Sequence, residues 1–191
     1  EAAMVRAKRR GRDGICLFTD EQLKGSGERL ALGRNLRGAL ERGEMSLHYQ
    51  PLRRASDRRL CGFEALLRWD SPEFGLISPD QFIPIAETMG MMPEVGKWVV
   101  NDACRQAREW LDRGHRNFVI AINVSAQELQ RPNLTDVVSG ALNRYNIPAR
   151  LLSIEITETS SMENIDRVRA PLSELKRMDV RLSLDDFGTG Y

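Results

Sequence analysis

Four apolar, strand-like segments of this chain end in polar side chains, and helix-forming segments separate them. The segments are CGFEALLRW (61–69), FVIAINVS (118–125), LLSIEITE (151–158) and VRLSLDDF (180–187). An earlier strand, MSLHYQPL (45–52), forms a hairpin-like pair with the first of them. From there strands and helices alternate, which is the pattern of a parallel α/β sheet. The alternation predicts an α/β fold in which the carboxyl ends of the strands lie close together.

The polar residues near these strand ends share one direction. Glu64 and Arg68 alternate with apolar neighbours, so they point to the same face of their strand. Asn123, Glu155 and Asp185 hold similar positions near the ends of the later strands. Taken singly, each acid is better explained as a strand-end carboxylate with a local partner. Because four strands end in the same way, a shared site at one mouth is the better interpretation.

The chemistry of this set favours a hard divalent cation. Its donors are oxygens, with no histidine or cysteine among them, which suits Mg²⁺, Mn²⁺ or Ca²⁺ rather than structural zinc. Two unpaired carboxylates about 4 Å apart repel by roughly 4 kcal/mol at an effective dielectric constant of about 20. A bound cation would remove this repulsion, so the sequence predicts a metal site.

Composition narrows the class of protein. With 191 residues, of which 41% are hydrophobic, the chain can form one ordinary domain with a substantial core. A net charge of +1 argues against nucleic acid as the main ligand. Cys16, Cys61 and Cys104 lack metal-binding spacing and indicate reduced thiols in a cytoplasmic protein. No apolar run approaches the ~20 residues that a membrane span needs.

Six short motifs together resemble the EAL domain family of cyclic di-GMP phosphodiesterases. They fall in the family's order and spacing, and the resemblance extends from about residue 30 to residue 191. The motifs are YQP (49–51), EALLRW (64–69), SPDQFIPIAE (78–87), NVSAQEL (123–129), EITET (155–159) and DDFGTGY (185–191).

The resemblance implies a modified (β/α)8 TIM-type barrel with an antiparallel first strand, of which about five of the eight strands lie in this chain. It implies that the complete protein hydrolyses the second messenger cyclic di-GMP to linear pGpG, with Mg²⁺ or Mn²⁺ as cofactor and Ca²⁺ as an inhibitor. The alternative is a module with the same fold that binds cyclic di-GMP or a partner protein without hydrolysis. The presence of all the implied metal ligands favours the enzyme.

The resemblance also implies roles for individual residues. Asp185 would bridge two metal ions and Asp186 would serve the second. The implied catalytic residues are Glu64, Asp185 and Asp186, and the implied metal ligands are Glu64, Asn123, Glu155, Asp185 and Asp186.

Two further residues are implied in substrate binding. Arg68 lies on the same face as Glu64, and its guanidinium fork can donate two hydrogen bonds to a phosphate. Gln50, in the YQP motif, is a weaker candidate for a substrate contact.

The sequence predicts three parts along the chain. Residues 1–20 resemble the C-terminal remnant of a GGDEF domain, residues 21–28 with the KGSG stretch form a linker, and residues 29–191 form the N-terminal portion of an EAL domain. A GGDEF domain is therefore expected to precede the EAL domain in the complete protein. The GGDEF active-site motif is absent, so no cyclase activity is predicted for this segment.

The chain ends within DDFGTGY, and a lysine, a glutamate and a glutamine of the family's later strands have no matching position. We therefore expect the 191-residue chain alone to be inactive. We also expect it to form homo-oligomers through open sheet edges or through contacts between EAL domains.

Overall fold

The computed structural model describes residues 20–131, 133–157 and 165–185. Strands and helices alternate as the sequence predicts. In chain order the elements are α1 (Asp20–Leu36), β1 (Met45–Arg53), β2 (Leu60–Ser71), β3 (Gly75–Ile77), α2 (Pro79–Thr88), α3 (Met92–Asp112), β4 (Ile120–Asn123), α4 (Ala126–Leu129), α5 (Leu134–Tyr145), a 3-10 turn (Ala149–Leu151), β5 (Leu152–Thr157), α6 (Ile165–Arg177) and β6 (Arg181–Asp185).

The strands form a single mixed sheet in the order β1-β2-β4-β5-β6, with β3 paired to β2. Strand β1 is antiparallel to β2, whereas β2, β4, β5 and β6 are parallel to one another. The predicted α/β fold with an antiparallel first strand is therefore confirmed. In the described part of the chain β1 and β6 are the two ends of this order, so the barrel is partial. The three-residue β3 escaped prediction because it is too short to show a two-residue period.

One close backbone approach fixes the pairing of β2 with β4. The amide of Phe63 donates to the carbonyl oxygen of Val119, with 2.8 Å between nitrogen and oxygen. A Cβ atom on Gly62 would lie only 2.4 Å from the same oxygen. Glycine is therefore required at this position of β2. The contact brings the strand of Glu64 against the strand of Asn123.

Helices cover one face of the sheet and leave the other for polar side chains. The covering helices are α3, α5 and α6, whose apolar residues pack against alternate residues of β4 and β5. Members of this core include Val100, Val138, Leu175, Ile120, Ile122 and Ile154. By the two-residue period of a strand, Asn123 and Glu155 point to the opposite face.

A second apolar cluster anchors the carboxyl end of β2. Trp69 is fully buried, and its ring lies edge-on to Phe82 of α2, with 5.7 Å between ring centroids. Its Nε1 donates to Oε2 of Glu44 over 3.0 Å. Leu36 of α1 packs in the same cluster. These contacts hold the strand rigidly at the residue next to Arg68.

The first helix differs from its prediction. The sequence favours a helix from about residue 28 to residue 42, whereas α1 spans Asp20–Leu36. The sequence pattern places the end of this helix at Gly43, but Gly38 already ends it, because its φ of +77° is left-handed. The KGSG stretch (24–27) lies inside α1, so its conformation is helical rather than irregular. The division of the chain into domains there stays a prediction.

None of the helices in the described part of the chain combines the length and apolarity that crossing a membrane requires. The predicted N-terminal remnant of residues 1–20 lies almost entirely outside the described residues.

Candidate active site

Glu64 and Asn123 meet directly on the polar face of the sheet. In the β2–β4 register Glu64 pairs with Ala121, which lies two residues before Asn123 and on the same strand face. Asn123 Nδ2 donates to Glu64 Oε1 over 2.8 Å. Because an ionised carboxylate only accepts hydrogen bonds, the amide must turn its nitrogen toward Glu64. Its oxygen Oδ1 accepts no hydrogen bond from the residues that the structure describes.

Glu155 continues the polar row on the next strand. It pairs in register with Asn123 on one side and with Ser183 on the other. Ser183 Oγ donates to Glu155 Oε1 over 3.2 Å, and Ser153 Oγ lies 3.3 Å from Ser183 Oγ. Ser183 is not among the predicted site residues, although it contacts Glu155. The signal is present, since the alternation in RLSLD places Ser183 and Asp185 on one face.

Of the two predicted aspartates, Asp185 and Asp186, the structure describes only the backbone of Asp185. Asp185 is the last residue of β6 and pairs in register with Thr157, two residues beyond Glu155. This backbone position is the one expected for a residue of the same polar row. The side chain of Asp185 and the whole of Asp186 lie outside the described residues. Their predicted roles therefore stay predictions.

Arg68 and Gln50 flank Glu64. Arg68 is half-buried, lies four residues after Glu64 on the same face of β2, and donates from Nη1 to the carbonyl oxygen of Leu67 over 2.8 Å. It forms no ion pair with any acid in the described ranges. Arg68 and Asn123 both line a cavity of about 210 Å³. Gln50 is exposed and stands opposite Glu64 in the β1–β2 register.

The donor set suits a hard cation by its chemistry. Glu64 and Glu155 offer carboxylate oxygens, and Asn123 offers its amide oxygen, which are the ligands that Mg²⁺, Mn²⁺ and Ca²⁺ prefer. Among the residues with described side chains, no three of the types His, Cys, Asp and Glu form a metal-binding cluster.

The loop after Asn123 is held by a capping box. The backbone amide and the hydroxyl of Ser125 donate to Glu128 Oε2 over 3.1 and 2.8 Å, and the amide of Glu128 donates back to Ser125 Oγ over 3.3 Å. The sequence pattern S-x-x-E predicts this arrangement. It does not predict that Glu128 is only 6% exposed. Burial raises the pKa of the Glu128 carboxyl, and the hydrogen bonds from Ser125 oppose that shift.

Comparison with known proteins identifies relatives over the whole chain. A family model described as "EAL domain" matches residues 33–191. The bifunctional diguanylate cyclase/cyclic di-GMP phosphodiesterase MucR of Pseudomonas aeruginosa is 44% identical over 191 residues, which are 100% of this chain and 28% of that protein. The cyclic di-GMP phosphodiesterase PdeR of Escherichia coli is 38% identical over 193 aligned positions, covering 100% of this chain and 29% of that protein. The chain spans less than a third of these relatives.

Solved structures show the same fold. A cyclic di-GMP complex of the MucR phosphodiesterase superimposes with a TM-score of 0.81 at 45% identity, covering 84% of this chain and 65% of that one. The FimX EAL domain of Xanthomonas citri, in complex with cyclic di-GMP, gives a TM-score of 0.77 at 26% identity, covering 86% of this chain and 64% of that one.

Proposed function

The chain belongs to the EAL domain family, and on that basis we propose that the complete protein hydrolyses cyclic di-GMP to linear pGpG in a reaction that depends on Mg²⁺ or Mn²⁺. The named relatives MucR and PdeR support the substrate and the reaction class. The proposal concerns the complete protein, because this chain matches less than a third of each relative.

One observation carries the proposal. Glu64, Asn123 and Glu155 come from three neighbouring strands, and the register of those strands sets them side by side on one face. Arg68 lies on the same face and has no ionic partner among the described residues. Acidic oxygens that can hold divalent cations, beside a guanidinium without an ionic partner among the described residues, are suited to a phosphodiester, whose oxygens need both cationic neutralisation and directed hydrogen bonds.

We assign the following roles to the residues of this chain. Arg68 binds a non-bridging phosphate oxygen through its guanidinium fork and orients the diester. Gln50, exposed opposite Glu64, contacts the substrate at the rim. The Asn123–Glu64 hydrogen bond holds both side chains in fixed rotamers, so their remaining oxygens are preorganised. The ligands to metal are Glu64, Asn123, Glu155, Asp185 and Asp186.

When bound at these oxygens, a pair of divalent cations supplies the positive charge that neutralises the phosphate and favours ionisation of an attacking water. Glu64, Asp185 and Asp186 act in catalysis by holding that charge in place. Glu155, tied to Ser183, keeps its carboxylate aligned with the row.

The direct test is turnover by the complete purified protein. Cyclic di-GMP is incubated with the protein and Mg²⁺, and the products are separated by ion-exchange chromatography. Accumulation of pGpG at the expense of cyclic di-GMP is the expected result. Tight binding of cyclic di-GMP without any pGpG would overturn the enzyme assignment in favour of a receptor. No binding and no turnover would overturn cyclic di-GMP as the ligand.

A further inference from the structure

The side-chain carboxyl group of Glu128 is buried, although none of the functional roles proposed above requires its burial. The side chain is 6% exposed, and its donors among the described residues are the amide and hydroxyl of Ser125. Arg131 acts on it electrostatically but forms no ion pair with it in the described part of the chain, and Glu87 opposes its ionisation. A capping box works equally well with a solvated glutamate. The burial therefore points to a further purpose, because removing a carboxylate from water is costly.

Helix α3 packs closely against this carboxyl group at Gly96. A Cβ atom at Gly96, in the second turn of α3, would lie 2.0 Å from Glu128 Oε1. Only glycine leaves room for the oxygen at this point. Glycine inside a helix costs about 0.5–1 kcal/mol relative to alanine. The chain thus accepts a local cost in α3 at the place where Glu128 docks.

The docked segment is continuous with Asn123. Val124 donates its amide to the carbonyl oxygen of Glu155 over 3.0 Å, which extends the β4–β5 ladder by one residue beyond Asn123. Ser125 follows at once and is tied to Glu128. Asn123, Gly96 and Glu128 all line the cavity of about 210 Å³ that also reaches Arg68. The backbone on the carboxyl side of Asn123 is therefore hydrogen-bonded to the sheet at Val124, and the Glu128 side chain that follows packs closely against α3 at Gly96.

We propose that Ser125, Glu128 and Gly96 form a latch that positions Asn123 for its contact with Glu64, so that Glu128 is a positioning residue for the site. The assignment of a catalytic consequence rests on the function proposed above. The latch works through an acceptor oxygen and through shape. Glutamine at position 128 can meet both needs, because its amide oxygen accepts from Ser125 and its volume is similar.

Four substitutions distinguish a specific effect of the latch on Asn123 from a general loss of protein stability. Glu128→Ala removes the acceptor, and Gly96→Ala expels the carboxylate from its seat. Glu128→Gln keeps the acceptor. Gly140→Ala is the matched control for the second change, because Gly140 is also helical and an added Cβ there meets nothing within 4 Å. The double variant Gly96→Ala/Glu128→Ala removes the clash and recovers folding if Gly96→Ala alone is unstable.

Two readouts are made on the complete protein. Hydrogen exchange of the peptide covering residues 121–131 should accelerate in Glu128→Ala and Gly96→Ala, and remain at the wild-type rate in Glu128→Gln and Gly140→Ala. The kcat for cyclic di-GMP should fall about 10- to 100-fold in the first two variants, as for other residues that orient a metal-site ligand, and KM should change little. Glu128→Gln should retain most of the activity.

Each contrary result contradicts a different part of the proposal. Unchanged exchange in Glu128→Ala overturns the latch. Faster exchange with wild-type kcat overturns its positioning role, and so does a Glu128→Gln variant as impaired as Glu128→Ala. A wild-type protein that leaves cyclic di-GMP intact overturns the proposed function instead, and the exchange comparison then decides the latch alone.

Discussion

Asn123 donates a hydrogen bond of 2.8 Å to Glu64 across two parallel strands, although the two residues are 59 positions apart in the sequence. The contact depends on the register that pairs Glu64 with Ala121. It also depends on the glycine that lets β2 approach Val119. A polar pair of the candidate site thus arises from backbone geometry that is fixed several residues away.

Replacing Glu64 should eliminate hydrolysis and leave the fold intact. Glu64→Ala removes a carboxylate that is half-buried and lies outside the apolar core, so thermal unfolding should change little. Asn123→Ala removes both the hydrogen-bonding partner of Glu64 and a proposed metal ligand, so it should reduce kcat by at least about 10- to 100-fold. Both are measured as pGpG formation by the complete protein. Glu174→Ala, at an exposed acid of α6, is the control, and wild-type turnover in Glu64→Ala would contradict the assignment.

The strand ends and most elements could be predicted from the sequence because their signals are local. The sequence predicts a helix near residues 134–145, and α5 has these bounds. The Ser125–Glu128 capping box also forms as its spacing indicates. The family resemblance is confirmed by the match over residues 33–191. The Asn123–Glu64 contact could not be derived, since it needs the register between two strands. The packing of Glu128 against Gly96 could not be predicted from the sequence either, because α3 and α4 approach each other only in the folded chain.

Arg68 should govern substrate affinity. One hydrogen bond to a charged group contributes about 1.5–3 kcal/mol, so Arg68→Ala should weaken cyclic di-GMP binding roughly 10- to 100-fold. Arg68→Lys should recover only part of this, because an ammonium group cannot form the planar fork. Calorimetric titration with cyclic di-GMP measures both. Arg150→Ala is the control, because it removes an exposed arginine elsewhere in the chain. Wild-type affinity for cyclic di-GMP in both Arg68 variants would mean that the role of Arg68 is structural.

Removing divalent cations should stop turnover. The oxygen donors Glu64, Asn123 and Glu155 favour Mg²⁺ or Mn²⁺, so chelation should abolish pGpG formation and either ion should restore it. Ca²⁺ should support cyclic di-GMP binding without comparable turnover, because its looser coordination positions reactants poorly. Chromatographic assays with each ion after chelation provide the measurement. Undiminished turnover in the chelated protein would contradict metal dependence.

Gly62→Ala should destabilise the sheet. The added Cβ would meet the Val119 carbonyl oxygen at 2.4 Å, and backbone cannot move aside as a flexible side chain can. Overpacking of this kind costs typically about 1–3 kcal/mol, measured here as a lower urea midpoint. Gly140→Ala makes the same chemical change where nothing lies within 4 Å of the new Cβ. That control should stabilise the protein by about 0.5–1 kcal/mol. Equal midpoints for the two variants would contradict the close approach of β2 to Val119.

The pH dependence of stability should reveal the buried carboxylate of Glu128. Burial raises its pKa in the folded protein above the usual unfolded value of about 4.3, so the folded state holds this proton more tightly than the unfolded state. The resulting stabilisation is fully present below about pH 4.3 and is lost as the pH rises through the folded pKa.

Glu128→Gln carries no titrating group there, so its stability relative to the wild type should increase from pH 4.5 to pH 7.5. Urea unfolding at the two pH values measures the difference. A Glu128→Gln variant whose relative stability is the same at both pH values, or falls as the pH rises, would show that the carboxylate is not held in an unfavourable, buried environment.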